Sequence, residues 1–228
     1  MLSSLSRAEG AAIVGRPRQF DEGKVLEAAA EIFWTKGYNA TSTRDLAECT
    51  GLTPASMYNA FTDKRGLFMR ALGQYLERML RERIVRLEML PSPGSAIVGF
   101  FDEIVDRSLK DLQHRGCMLV NSALEVTPED YGFQLFVASQ TVTIEKFFYG
   151  RIVEGQRVGE IPADQPVDDL ARMLLSIVMG LRVLARVRPD PKLLNGLVGP
   201  AMAMLNLAWP PRKKPRTRSR EKTGAKIK

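Results

Sequence analysis

The chain has 228 residues, of which 45% are hydrophobic, enough for one large core or two smaller ones. It contains no membrane-length apolar run, no secretory signal pattern and only two cysteines, so we expect a cytoplasmic protein without a disulfide framework or membrane partner. The net charge of +7 comes entirely from residues 210–228, which carry nine Lys or Arg and one Glu, and the remainder of the chain is slightly acidic. Overall basicity therefore does not indicate that the folded part binds nucleic acid.

Helical periodicity recurs along the sequence and strand signals are almost absent, so we predict an all-α protein. A first helix is expected over residues 22–36, with Asp21 as its N-cap and Gly37 at its end. A long helix should run from about residue 63 to the Pro91–Gly94 break. Beyond that break, apolar patterns predict helices over residues 97–112, from the Arg115-Gly116-Cys117 corner to 126, and over 128–152, 167–187 and 191–208.

Residues 43–64, TRDLAECTGLTPASMYNAFTDK, have the pattern of a helix-turn-helix. Gly51 can adopt the left-handed conformation that ends the first helix, and Thr53 and Pro54 suit the cap and first turn of the second. An ordinary αα-hairpin is the alternative, but six positions agree with the DNA-binding motif. Ala47 is small enough for the second helix to cross it closely, and the apolar seam is formed by Leu46, Leu52, Met57 and Ala60.

This head, followed by a larger helical body, resembles the TetR/AcrR family of bacterial transcription regulators. The resemblance is specific over residues 20–75, where Gly-Tyr-x-x-Thr-Ser-x-Arg-Asp-Leu-Ala, Gly-Leu-Thr and Tyr-x-x-Phe-x-x-Lys-x-x-Leu-Phe follow one another. The body matches in architecture and in Gly-Cys-Met-Leu-Val-Asn at 116–121. The resemblance implies a DNA-binding domain at 20–66, preceded by a flexible arm at 1–19, and a ligand-binding and dimerisation domain at 67–209. The composition of residues 210–228 predicts a basic disordered tail.

The resemblance also assigns roles in binding a double-stranded DNA operator. Thr43, Tyr58 and Lys64 would contact phosphates, while the start of the second helix would face the major groove. Ala60 stands where many family members carry His or Tyr, and Asn59 is expected to compensate. The expected DNA-binding residues are Thr43, Arg44, Thr53, Pro54, Ala55, Ser56, Tyr58, Asn59 and Lys64.

For the body, the resemblance implies a small-molecule effector that changes the affinity for DNA. Aromatic, methionine and amide side chains are the usual lining of such a site, although ordinary core packing is favoured for any single one of them. The candidate pocket residues are Phe100, Phe101, Met118, Asn121, Tyr131, Gln140, Phe147 and Met173.

The last two predicted helices are apolar over much of their circumference, so each needs cover on more than one side. A four-helix bundle with a second copy would provide that cover, and a homodimer would read both halves of a palindrome. Ala171, Gly180 and Gly199 would permit close approach. The expected interface residues are Leu170, Leu174, Ile177, Leu181, Leu194, Leu197, Val198, Ala201 and Leu205.

No pattern for catalysis, a cofactor or a metal is present, since His114 is the only histidine and has no ligand at metal spacing. Cys117 is a possible redox sensor because Arg115 and a helix start would favour its thiolate, but passive packing is the favoured alternative. Cys49 is expected in the core, and Glu103 on a solvated helix face. We therefore predict a ligand-responsive DNA-binding regulator, most often a repressor in this family. The alternative is a helical binding or enzymatic protein that uses the helix-turn-helix as a scaffold.

Overall fold

The computed structural model describes residues 20–125 and 127–209. Every regular element among these residues is a helix and none is a strand, which confirms the all-α prediction. None of their helices combines the length and apolar character needed to cross a bilayer. The elements are α1 (Glu22–Lys36), α2 (Thr43–Thr50), α3 (Pro54–Phe61), α4 (Lys64–Leu76), a π-helical segment (Glu77–Arg81), α5 (Glu82–Glu88), α6 (Pro93–Lys110), α7 (Met118–Glu125), α8 (Tyr131–Arg157), α9 (Val167–Val187) and α10 (Pro191–Met204).

The chain divides into two compact units between Tyr75 and Leu76. The first unit extends beyond residue 66, where the sequence placed the end of the DNA-binding domain, because α4 contributes to its core. Phe68 of α4 lies edge-on to Phe33 of α1, with ring centroids 4.8 Å apart. The predicted arm at 1–19 and tail at 210–228 lie outside the described residues.

Short-range capping defines the helices of the first unit. The Asp21 side chain accepts a hydrogen bond from the Lys24 N–H, and Gly37 ends α1, both as predicted. At the start of α4, the Asp63 carboxylate accepts the Gly66 N–H at 2.7 Å. A Cβ added to Gly66 would overlap the carbonyl oxygen of Phe61, so α3 and α4 meet more closely than a side chain would allow.

A core of phenylalanines organises the second unit. Phe100 and Phe101 of α6 pack with Phe147 and Phe148 of α8, and the centroids of contacting rings are 5.0–6.2 Å apart. All four rings are buried. Because α9 and α10 also pack on α6, this aromatic cluster lies in the interior of the helical body.

The long helix expected before Pro91 is not uniform. Leu76 and Glu82, which flank the π-helical segment, both have right-handed helical backbones, so the chain remains helical from Lys64 to Glu88. Within the segment the turns are wider than in an α-helix. The division between the two units falls one residue before it, between Tyr75 and Leu76.

Several expectations about the body are wrong. Leu112 follows the end of α6 and is 89% exposed, because Asp111 already ends that helix. In α8, Tyr131, which was expected in the pocket, faces solvent, whereas Phe133 and Val137 are buried. This 27-residue helix has apolar residues on more than one face, so periodicity alone did not decide which face is inside. Glu103 is not simply solvated, since it pairs with Arg83 and Arg86.

The close approach at Gly66 generates a prediction. Gly66→Ala should lower the free energy of unfolding of the first unit by about 1–3 kcal/mol, because the backbone of α3 must move away. The matched control is Gly73→Ala in the same helix, where an added Cβ meets no atom within 4 Å. That control should be neutral or stabilising by up to about 1 kcal/mol.

The measurement is urea unfolding followed by tryptophan fluorescence in a Trp209→Phe background, so that Trp34 reports on the first unit alone. Equal midpoints for the two alanine variants would show that Gly66 is not a close-packing position.

Candidate nucleic-acid interface

The turn between α2 and α3 has the geometry that the sequence predicts. Gly51 adopts φ 70° and ψ 9°, the left-handed conformation, and its N–H donates to the Ala47 carbonyl at 3.0 Å. The Thr53 hydroxyl then accepts the Ser56 N–H at 3.2 Å and caps α3, with Pro54 in the first turn. Leu46, from α2, is fully buried. The turn therefore holds the second helix of the motif at a fixed angle to the first.

A charged network fixes the start of α2. The side chains of Ser42 and Asp45 form a capping box, and Lys36 Nζ lies 2.6 Å from Asp45 Oδ1. Hydrogen bonds from Lys36, and then from the backbone and hydroxyl of Ser42, hold the pKa of Asp45 well below its usual range. Asp45 is thus ionised at neutral and mildly acidic pH. The cap keeps Thr43, the first residue of α2, in a constant position.

One face of α3 is open to solvent and carries no charged side chain. The Thr53 hydroxyl donates to Ser56 Oγ at 3.0 Å, so the Ser56 hydroxyl proton remains directed away from this contact. Hydroxyl, amide and small apolar groups are suited to reading base edges and the thymine methyl. The exposed predicted residues on this face are Thr53, Pro54, Ala55, Ser56, Tyr58 and Asn59.

Two of the predicted phosphate ligands contact each other. The hydroxyls of Thr43 and Tyr58, 15 residues apart in sequence, are 2.9 Å apart, and either can be the donor. Since one hydroxyl proton is used between them, the pair presents one remaining proton to an acceptor such as a phosphate oxygen. This contact joins the N-terminus of α2 to the middle of α3.

The predicted cationic contacts are held differently. Lys64, the first residue of α4, is half-buried, and its Nζ lies 4.5 Å from the centroid of the Tyr38 ring. Arg44 is exposed and pairs with Glu48 at 2.8 Å, a surface interaction of small energy. The Tyr38 ring packs on Phe33 and also lies beneath the Lys64 ammonium. Lys64 is 26 residues further along the chain, so no local pattern indicates this contact.

The cysteines and the histidine form no chemical centre in the described part of the chain. Within residues 20–125 and 127–209, no three His, Cys, Asp or Glu side chains are grouped for a metal ion. Cys49 is exposed rather than in the core, although desolvation raises the pKa of its thiol, which donates to the Leu46 carbonyl. Cys117 directly precedes α7 and is half-buried, so it lies at a helix start, as the sensor hypothesis requires. The reactivity of its thiol remains a prediction.

The candidate pocket residues are only partly brought together. Phe100, Phe101 and Phe147 share the aromatic cluster of the body. Tyr131 is 67% exposed at the first residue of α8 and does not line the interior. The Asn121 side-chain amide donates to the Arg115 carbonyl at 2.9 Å, which gives it a structural role at the start of α7. Met118 and Gln140 are buried, and Met173 is half-buried.

Seven of the nine side chains expected at the dimer interface are buried within the protomer and do not reach its surface. They are buried because one side of α9 and of α10 packs on α6, and α9 also packs on α8. Only Ile177 and Leu197 among the nine remain half-exposed. The buried ones are Leu170, Leu174, Leu181, Leu194, Val198, Ala201 and Leu205.

The first unit contains a capped helix-turn-helix whose second helix is exposed, and the chain continues into a separate helical body. This organisation is typical of helix-turn-helix transcription regulators. Residues 25–71 match the family model for bacterial regulatory proteins of the tetR family, and residues 95–198 match the tetracyclin repressor-like C-terminal domain. The chain belongs to the TetR family of transcriptional regulators.

Relatives and solved structures agree with this assignment. The chain is 29% identical to the transcriptional repressor ComR of Escherichia coli K12, covering 86% of this chain and 92% of ComR. It is 31% identical to the regulator YezE of Bacillus subtilis 168, covering 85% and 100%. A cysteine mutant of the TetR family regulator CifR, solved with 26-base-pair operator DNA, is 33% identical with a TM-score of 0.74, covering 86% of this chain and 100% of CifR.

The geometry of the interface predicts different effects for its hydroxyl and its ammonium. Lys64→Ala should weaken operator binding and reduce the slope of log affinity against log salt by about one, because one cation leaves the phosphates. Tyr58→Phe should weaken binding with an unchanged slope, since it removes a neutral donor. Fluorescence-anisotropy titrations of operator DNA at several salt concentrations measure both.

The control is Lys24→Ala, which removes a lysine that is 84% exposed on α1 and outside this surface. Affinities equal to the wild type for both Tyr58→Phe and Lys64→Ala would show that phosphates are bound elsewhere.

Proposed function

We propose that this regulator binds a palindromic operator as a homodimer, represses transcription there, and is released by a small molecule bound in its second unit. The observation that carries DNA binding is the uncharged, solvent-exposed face of α3 next to the Thr43–Tyr58 hydroxyl pair. Operator DNA in the CifR complex and the repressor name of ComR support the same function.

The proposed interface divides its tasks between affinity and sequence recognition. Thr43, Tyr58 and Lys64 contact phosphates and set the register of α3 in the major groove. Ser56 and Asn59 read base edges, while Pro54 and Ala55 offer only apolar contact. A gel-shift assay with the DNA upstream of the protein's own gene tests the proposal. Failure to shift any duplex from that region would favour the helical scaffold alternative.

Apolar stripes on the outside of α9 and α10 support a homodimer. Val183 and Met204 are exposed, and Ile177, Leu193 and Leu197 are half-exposed. Leu193, Leu197 and Met204 follow one another at intervals of four and seven residues, as expected for one face of α10. Their cover by a second copy would form a four-helix bundle of the kind that the sequence suggests, built from different side chains.

Three helical glycines support the same partner. A Cβ added to Gly180, Gly196 or Gly199 meets no atom within 4 Å, so packing inside the protomer does not require glycine there. Glycine inside a helix is less stable than alanine by about 1 kcal/mol. Close approach of a second helix gives a reason for glycine at these positions.

The dimer proposal predicts that Leu197→Glu yields monomers that remain helical and lose specific operator binding. A carboxylate placed between two copies must be desolvated without a partner, which opposes association. Sedimentation velocity gives the oligomeric state, and circular dichroism reports the helix content. The matched control is Leu112→Glu, which changes a leucine that is 89% exposed beyond the end of α6. A Leu197→Glu protein that still sediments as a dimer would place the interface elsewhere.

The basic tail generates a separate prediction from its charge. Deletion of residues 210–228 removes nine cationic residues and one acidic residue. It should weaken binding to random duplex more than binding to operator, and it should reduce the salt dependence of both, because phosphate attraction is independent of sequence. Paired salt titrations on operator and scrambled duplex measure this. Loss of operator binding with retained binding to scrambled DNA would mean that the tail reads sequence.

A further inference from the structure

The helical body buries two arginines, while the one carboxylate beside Arg83 also pairs with an exposed arginine, so the buried positive charge exceeds the negative charge. Arg83 of α5 is buried, and its Nε lies 3.2 Å from Glu103 Oε2 without hydrogen-bond geometry. Neither Nε nor Nη2 of Arg83 has a hydrogen-bond partner among the residues that the structure describes. Glu103 is also shared with Arg86, whose Nη2 donates to its other oxygen at 2.5 Å.

A second buried arginine adds to this excess. Arg182 of α9 donates from Nη1 to the Ser108 hydroxyl at 3.1 Å, and within the described residues no carboxylate lies within 4.0 Å of its guanidinium. Burial, followed by repulsion from Arg182 and Arg107, lowers the pKa of Arg83 to about 10. Arg83 therefore remains protonated at neutral pH, and two cationic side chains from α5 and α9 are both interior.

The surroundings of Arg83 are amphipathic. Its Cζ lies 5.6 Å from the centroid of the Phe100 ring, and Phe100 belongs to the buried aromatic cluster of α6 and α8. A buried polar group without a partner is unfavourable, and a buried charge more so. A ligand that supplied the missing acceptor would remove part of this cost. A planar carboxylate matches the paired N–H groups of a guanidinium and brings the single negative charge that the site lacks.

We propose that Arg83 and Arg182 form the head-group site for the effector, and that the effector is a small organic carboxylic acid whose apolar part contacts the phenylalanine cluster. This inference rests on the proposed function in assuming that the body takes a small molecule. Arg83 lies two residues beyond the π-helical segment, in the helical run that begins at Lys64 in the first unit. A ligand bound to Arg83 therefore contacts a helical run whose residues belong partly to the first unit and partly to the second.

The test uses the full chain and four probes in isothermal titration calorimetry: benzoate and hexanoate, each against its neutral amide, at concentrations up to about 10 mM. At least one acid should bind roughly tenfold or more tightly than its amide, because the charged head group supplies the affinity. Arg83→Met and Arg182→Met should each reduce that affinity roughly tenfold. Arg86→Met is the matched control, since Arg86 pairs with Glu103 from an exposed position and should leave acid binding unchanged.

Glu103→Gln provides a second variant that keeps the packing of both arginines. It should tighten acid binding, because the competing carboxylate is removed. Failure of both acids to bind, equal binding of acids and amides, or undiminished acid binding in both arginine variants overturns the proposal. Binding of inorganic phosphate in place of the acids also overturns it, since that assigns the site to a different anion. Operator binding by the wild type without probes is measured in parallel, so that failure of the DNA-binding proposal is recognised separately.

Discussion

The recognition helix α3 is eight residues long, and a helix of this length has little stability of its own in water. It is helical because Met57 and Phe61 are buried in the first unit and because Thr53 caps its start. Once these two apolar residues point inward, the helical period directs Ala55, Ser56 and Asn59 outward. The exposed face of α3 is therefore a consequence of the core, and a change to the core changes which side chains that face presents.

The close contact between α3 and α4 follows from the same constraint. Gly66 lets the two helices meet without a side chain between them, and Lys64 begins α4 beside that contact. Tyr38 then supports the Lys64 ammonium from the end of α1. The cation expected at the phosphates is thus positioned by three helices rather than by its own flexible side chain.

The exposed face of α3 and the interior of the body differ in their charged side chains. Helix α3 has no charged residue, so its exposed face presents only hydroxyls, an amide and small apolar groups. In the body, by contrast, Arg83 and Arg182 are buried with Glu103 as the acid facing Arg83. Uncharged groups suit a surface that distinguishes base pairs by hydrogen bonding and shape. A buried cation suits a site that binds an anionic group in preference to a neutral one.

Local signals located the helices accurately where capping residues mark their ends. The expected bounds of α1 and α9 agree with the structure, because Asp21, Gly37, Pro166 and the Arg188-Pro-Asp-Pro break act within a few residues of the helix they delimit. The turn at Gly51 was predictable for the same reason. Resemblance, rather than periodicity, supplied the roles of the DNA-binding residues, and the exposure of α3 agrees with them.

The sequence by itself determined the all-α class, the helix-turn-helix and the helix ends, since these depend on residues within one or two turns of each other. Only the tertiary structure decided which face of α8, α9 and α10 is inside, because these helices have apolar residues on several sides and their neighbours select among them. It also decided the pairing of Thr43 with Tyr58 and the meeting of Arg83 with Glu103. Contacts between side chains on different helices depend on how those helices pack, and a linear pattern does not contain that information.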